Sequence, residues 1–92
     1  VSARPPAVGN LLVDEATAVA SPPALPWVGR MQRVASDGRY VLVSATGYAW
    51  SADPVRSRPA NGAEREAFAH DAEALRREVA DAVRRTALRT AR

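Results

Sequence analysis

The sequence predicts an α+β fold: a small antiparallel β-hairpin or three-stranded sheet followed by one long C-terminal amphipathic α-helix. Three observations carry this. Two stretches rich in β-formers flank Asp37-Gly38, a proline-bearing stretch follows Trp50, and an unbroken helical period begins after Asn61. A length of 92 residues allows one small domain. The chain divides into an extended N-terminal arm over 1–10 and a single domain over 11–92, with a hairpin at 27–50, a linker at 51–60 and a helix at 61–88.

Residues 1–10 carry Pro5-Pro6 and Gly9 without periodicity, as an extended arm does. Leu11-Leu12-Val13 reads as a strand, with Asp14-Glu15 turning into a second strand over 16–20 or, alternatively, opening a one-turn helix. Ser21-Pro22-Pro23 and Pro26 then interrupt regular structure, because each proline lacks a backbone donor and restricts the residue before it. In the hairpin, Asp37-Gly38 supplies the turn and its positive-φ position. Along the second strand, Val41, Val43 and Ala45 are expected to face the core. Tyr40, Leu42, Ser44, Thr46 and Tyr48 are expected on a half-wet face. Asp53-Pro54 and Arg58-Pro59 mark the linker as an extended surface crossing.

The helix is the strongest signal. Asn61 with Glu64 three residues on forms a capping box, each side chain reaching the other's backbone amide. Phe68, Ala72, Leu75, Val79, Ala82 and Thr86 recur at spacings of four and three, with Val83 widening the stripe. Glu73 with Arg77 and Asp81 with Arg85 are i,i+4 pairs in the favoured order. Acidic residues crowd the first turns and arginines the last, as the helix dipole favours. A helix of this length runs about 40 Å at 1.5 Å per residue, longer than the hairpin it packs on. Part of its stripe must therefore meet something else.

Composition sets the exclusions. There is no cysteine, so no disulfide framework, thiolate cluster or cysteine nucleophile exists. With one histidine, no metal site or cofactor is expected, and no catalytic residue is assigned. Leu11-Leu12-Val13-Asp14-Glu15 resembles the Walker B segment of ABC-type ATPases, but nucleotide hydrolysis of that kind needs a phosphate-binding lysine and the chain has none. The stretch Val13-Asp14-Glu15-Ala16-Thr17-Ala18 is also similar to one near the end of cyanophycinase-type serine peptidases, whose Gly-x-Ser-x-Gly region has no counterpart here. His70 beside Asp71 reads as a solvated histidine, and Ser44 and Thr46 as structural hydroxyls. No apolar run approaches the length needed to cross a bilayer, so a soluble chain is expected, cytoplasmic or exported in mature form. Val1 fits a processed, an alternative-start or a trimmed terminus equally. All thirteen basic residues are arginine, which with abundant alanine is the mark of a GC-rich, bacterial coding sequence.

Leu, Val and Phe together make up about a fifth of the chain, near the composition at which folding alone becomes marginal. This shortage points to a non-catalytic assembly or accessory subunit, docking on a protein partner or self-associating into a homo-oligomer. Its partner-binding residues are read as Phe68, Leu75, Val79 and Val83 on the helix, with Trp27, Tyr48 and Trp50 as aromatic anchors. A second expectation is a nucleic-acid-associated protein using Arg84, Arg85 and Arg89, set against six carboxylates on the same helix. A third is the small chain of a multi-chain or processed enzyme.

Overall fold

A computed structural model describes residues 4–20 and 23–90. Residues 1–3 of the arm, Ser21-Pro22 and the last two residues lie outside the described residues. The α+β expectation holds: a five-stranded antiparallel sheet is followed by one long helix. The strands are β1 (Leu11–Asp14), β4 (Trp27–Val34), β5 (Tyr40–Val43), β6 (Ala49–Ala52) and β7 (Ser57–Pro59), with a separate two-stranded ribbon of β2 (Val19–Ala20) and β3 (Pro23–Ala24) between β1 and β4. The main sheet runs in the order β6-β5-β4-β1-β7, and α1 (Gly62–Thr90) completes the chain.

The β4–β5 turn forms as its sequence dictates. Gly38 takes φ +89°, its amide donates to the Ala35 carbonyl at 2.9 Å, and the Asp37 carboxylate accepts from the Arg39 amide at 3.0 Å. The long second strand expected after it is divided. Ser44–Tyr48 makes a turn around Gly47 at φ +92°, with the Ser44 hydroxyl accepting from the Tyr48 amide at 3.0 Å and bonded to the Thr46 hydroxyl at 3.1 Å. Serine and threonine offered the backbone a local partner and so closed a turn in place of a strand.

Two further expectations need correction. The stretch 51–60 is not a free linker: Ala52 ends β6, Pro54–Arg56 is a single 3-10 turn, and β7 pairs antiparallel with β1, Val13 opposite Arg58. Its prolines mislead because Pro54 opens the turn, where no donor is needed, and Pro59 ends an edge strand. The arm also ends sooner than residue 10. The Gly9 amide donates to the Met31 carbonyl and the Met31 amide to the Asn10 carbonyl, both at 2.8 Å, beside a β-bulge in β4.

Both faces of the sheet bury residues, and the larger cluster lies on the face expected to be half-wet, while Val13 and Phe68 are buried on the other. Leu12, Met31, Leu42 and Ala52 form the buried cluster, with Tyr40 and Trp50 packed against it, whereas Val41 and Val43 are only half-buried. By alternation, Val13, Val28, Arg30 and Val43 line the opposite face, where the Arg30 guanidinium lies 5.4 Å from the centre of the Phe68 ring. One large leucine on the amphipathic face outweighs three smaller apolar residues on the other, because buried area scales with side-chain size.

The helix start is fixed by polar bonds. Asn61 and Glu64 exchange side-chain-to-amide bonds of 2.8 and 2.9 Å, the capping box read from the sequence. Arg58 on β7 grips both Glu64 oxygens at 2.8 and 2.9 Å and also pairs with Glu15. Together these ion pairs tie β7, the turn after β1 and the helix into one junction. Beyond it, Phe68 is buried and Ala72 and Leu75 are half-buried, but every described residue from Arg76 onward is exposed. The helix thus leaves the sheet halfway along.

Candidate functional site

At the end of the inner sheet face, three aromatic rings meet. Trp27 on β4 and Tyr48 and Trp50 at β6 stand on one face of the sheet, since Leu42 pairs with both Met31 and Trp50 and side chains alternate. Trp27 presents its edge to Tyr48 at 5.7 Å and to Trp50 at 5.3 Å, while Tyr48 stacks on Trp50 at 6.2 Å. These arrangements suit the ring quadrupoles. Gly29, which the sequence did not single out, and Asp14, read there only as a turn residue and part of a Walker B-like string, hold Trp50 in place. Gly29 leaves room for it: a β-carbon there would lie 2.6 Å from the indole and 2.8 Å from the Leu42 β-carbon. The buried Asp14 carboxylate accepts the indole N–H at 2.9 Å and the Ala16 amide at 3.1 Å. Asp14 thereby ends β1, caps the following 3-10 turn and orients the ring. No local pattern reveals this bond, because its partners are 36 residues apart.

The outer two rings remain accessible. Trp27 is 48% and Tyr48 59% exposed. They border a groove of about 490 Å³ whose other walls are Leu25 and Pro26, the Ser44–Thr46 turn, and Glu64, Ala67, Phe68 and Asp71 of α1. It is an apolar trough with carboxylates on its helical side.

The seven expected partner-binding residues fall into different situations. Phe68 is committed to the sheet and Leu75 is half-covered, while Val79 and Val83 are 53% and 62% exposed on the outer helix. Trp50 is half-buried and bonded to Asp14, which leaves Trp27 and Tyr48 as the accessible rings. The groove brings Trp27, Tyr48 and Phe68 together, and the valines lie further along the helix. Arg84, Arg85 and Arg89 are all exposed near its end, and Arg84 pairs with Asp81 at 3.5 Å in place of the expected Asp81–Arg85 pair.

Arg58, then the Asn61 amide, hold the Glu64 carboxyl down at about 2. Arg76 lowers that of Glu73 on the exposed helix. His70 is exposed, 3.8 Å from Asp71, and the Ser44 and Thr46 hydroxyls are engaged in their turn. Among the described residues no three His, Cys, Asp or Glu side chains gather as metal ligands, and no helix is long and apolar enough to cross a membrane. No protein-family model matches the chain, and no curated protein or solved structure is significantly similar to it.

Proposed function

We propose that this chain is a non-catalytic assembly subunit that docks through the aromatic groove and the outer stripe of α1. The observation that carries the reading is the surplus of surface. A chain of 9.8 kDa folded compactly exposes about 5,200 Å², by the usual scaling of surface with mass, whereas this one exposes 6862 Å². Its radius of gyration is 16.6 Å, against about 12 Å for a compact domain of this length. Val79, Val83, Trp27 and Tyr48 are among the large apolar side chains left exposed, and a standard protein interface removes about 800 Å² from each partner. An isolated helical segment of about 15 residues is marginal in water, so the outer half of α1 gains most from a companion.

The test is the native mass of the chain, tagged at its N-terminus, in the cells that make it. The expected result is a particle heavier than 9.8 kDa that releases the chain when Val79 and Val83 both become Glu. Wild-type chain travelling alone would overturn the reading.

A further inference from the structure

Independently of the assembly reading, we propose that a second cavity, which shares no lining residue with the aromatic groove, binds a small organic phosphate. The cavity measures about 400 Å³, the size of pockets that enclose small molecules. Three separate segments build it. The N-terminal arm brings Arg4, Pro6 and Asn10, the head of β5 brings Tyr40, and the first turn of α1 brings Arg65. Each is fixed from behind. The arm is bonded to β4 through Gly9, Asn10 and Met31, Tyr40 packs on the buried cluster, and the capping box with the Arg58 clamp sets the start of α1.

The charge of this cavity is one-sided. Two guanidinium groups line it and no carboxylate does. The ion pairs among the described residues take up Arg58, Arg76, Arg77 and Arg84, and neither Arg4 nor Arg65 belongs to one. The Arg65 Nε donates to the Ala60 carbonyl at 3.2 Å, a bond that orients the guanidinium and leaves its terminal nitrogens to donate elsewhere. Carboxylates close by in the chain are turned to other partners: Glu64 to Arg58, and Asp53 to the Val55 amide at 2.9 Å. Glu66, next to Arg65, does not line the cavity. A phosphate monoester carries about −1.5 to −2 charges at pH 7, which two guanidinium groups match, and the planar fork of arginine pairs with phosphate oxygens two at a time. The Asn10 amide and the Tyr40 hydroxyl add uncharged donors beside them. Pro6, Leu11 and Leu12 make an apolar wall, which shelters the organic body of the ester while its head is paired. The aromatic groove carries Glu64 and Asp71 in its lining and has no such preference for an anion.

The test is an NMR titration of the purified full chain, following the backbone amides, with phenyl phosphate, benzoate, inorganic phosphate and benzylamine. Phenyl phosphate is expected to give saturable shifts centred on Asn10, Tyr40 and Arg65 at up to several millimolar. Benzoate, with its single charge, and inorganic phosphate, with no apolar body, should each bind at least about tenfold more weakly, and benzylamine should not bind. Arg4→Gln and Arg65→Gln should each weaken phenyl phosphate about tenfold. Arg4 is an exposed residue of the arm, so its variant keeps the wild-type spectrum and a loss of binding there is a loss of the site. No saturable shift, shifts centred on the aromatic groove, benzoate, inorganic phosphate or benzylamine binding as tightly as phenyl phosphate, or an Arg4 variant that binds as wild type does would each overturn the phosphate site.

Discussion

The two halves of α1 share one apolar helical period and differ in what touches them. The inner half is capped by Asn61, clamped by Arg58 and anchored by the buried Phe68, whereas from Arg76 onward every described residue is exposed. Both halves are helical in the same chain, yet different forces hold them. Tertiary burial of a phenylalanine contributes about 1.5–3 kcal/mol to the first. The second relies on alanine propensity and surface pairs such as Asp81–Arg84 at 3.5 Å, each a small contribution. The comparison teaches that periodicity marks a face that needs covering without saying which molecule covers it.

Substitutions in the sheet and the outer helix should separate sharply in dilute solution. Leu42 is fully buried, so Leu42→Ala should cost about 2–5 kcal/mol in urea unfolding, while Val83→Ala stays within about 0.5 kcal/mol. Equal losses would erase the distinction between the regions. Asp14→Ala should come next, at about 1–3 kcal/mol, because it strands the half-buried Trp50 N–H; tryptophan fluorescence should shift as the ring loses its orientation. At the head of the inner helix, Asn61→Ala should cost about 1 kcal/mol by removing the cap.

The same junction makes stability depend on pH. The Glu64 carboxyl titrates at about 2 in the folded chain, below its ordinary 4.5. Its contribution is complete above the ordinary value and is lost as pH falls through the folded one. Glu64→Gln should therefore flatten the decline in stability between about pH 4.5 and 2 and leave the slope above it unchanged; an unaltered acid decline would place the coupling elsewhere. The smallest effect belongs to Glu73→Gln on the exposed surface, a slight loss of helix content on heating.

Local rules were legible and long-range ones were not. Asp37-Gly38 and the Asn61–Glu64 box act within four residues, so their chemistry stood plainly in the sequence. Strand β7 did not, because Pro54 and Pro59 signal a break at positions where a 3-10 turn and an edge strand accommodate them. The inward face of β5 was misread because Leu42 alternates with tyrosine, serine and threonine, and only its pairing with Met31 and Trp50 shows where it points. Of the proposed docking surface, the aromatic and helical components are visible as types. Their meeting in one groove, with Gly29 and Asp14 behind Trp50, depends on strand pairing across the fold.

The central claim, that the outer helix is completed by association, is tested most directly by amide hydrogen exchange of the purified chain and of the particle isolated from the cells that make it. In the dilute purified chain, residues beyond Arg76 should exchange far faster than those of the sheet and of the first turns of α1, and in the isolated particle their protection should rise. Outer amides as protected as the sheet in a dilute monomer, or as unprotected in the particle as in the monomer, would contradict it.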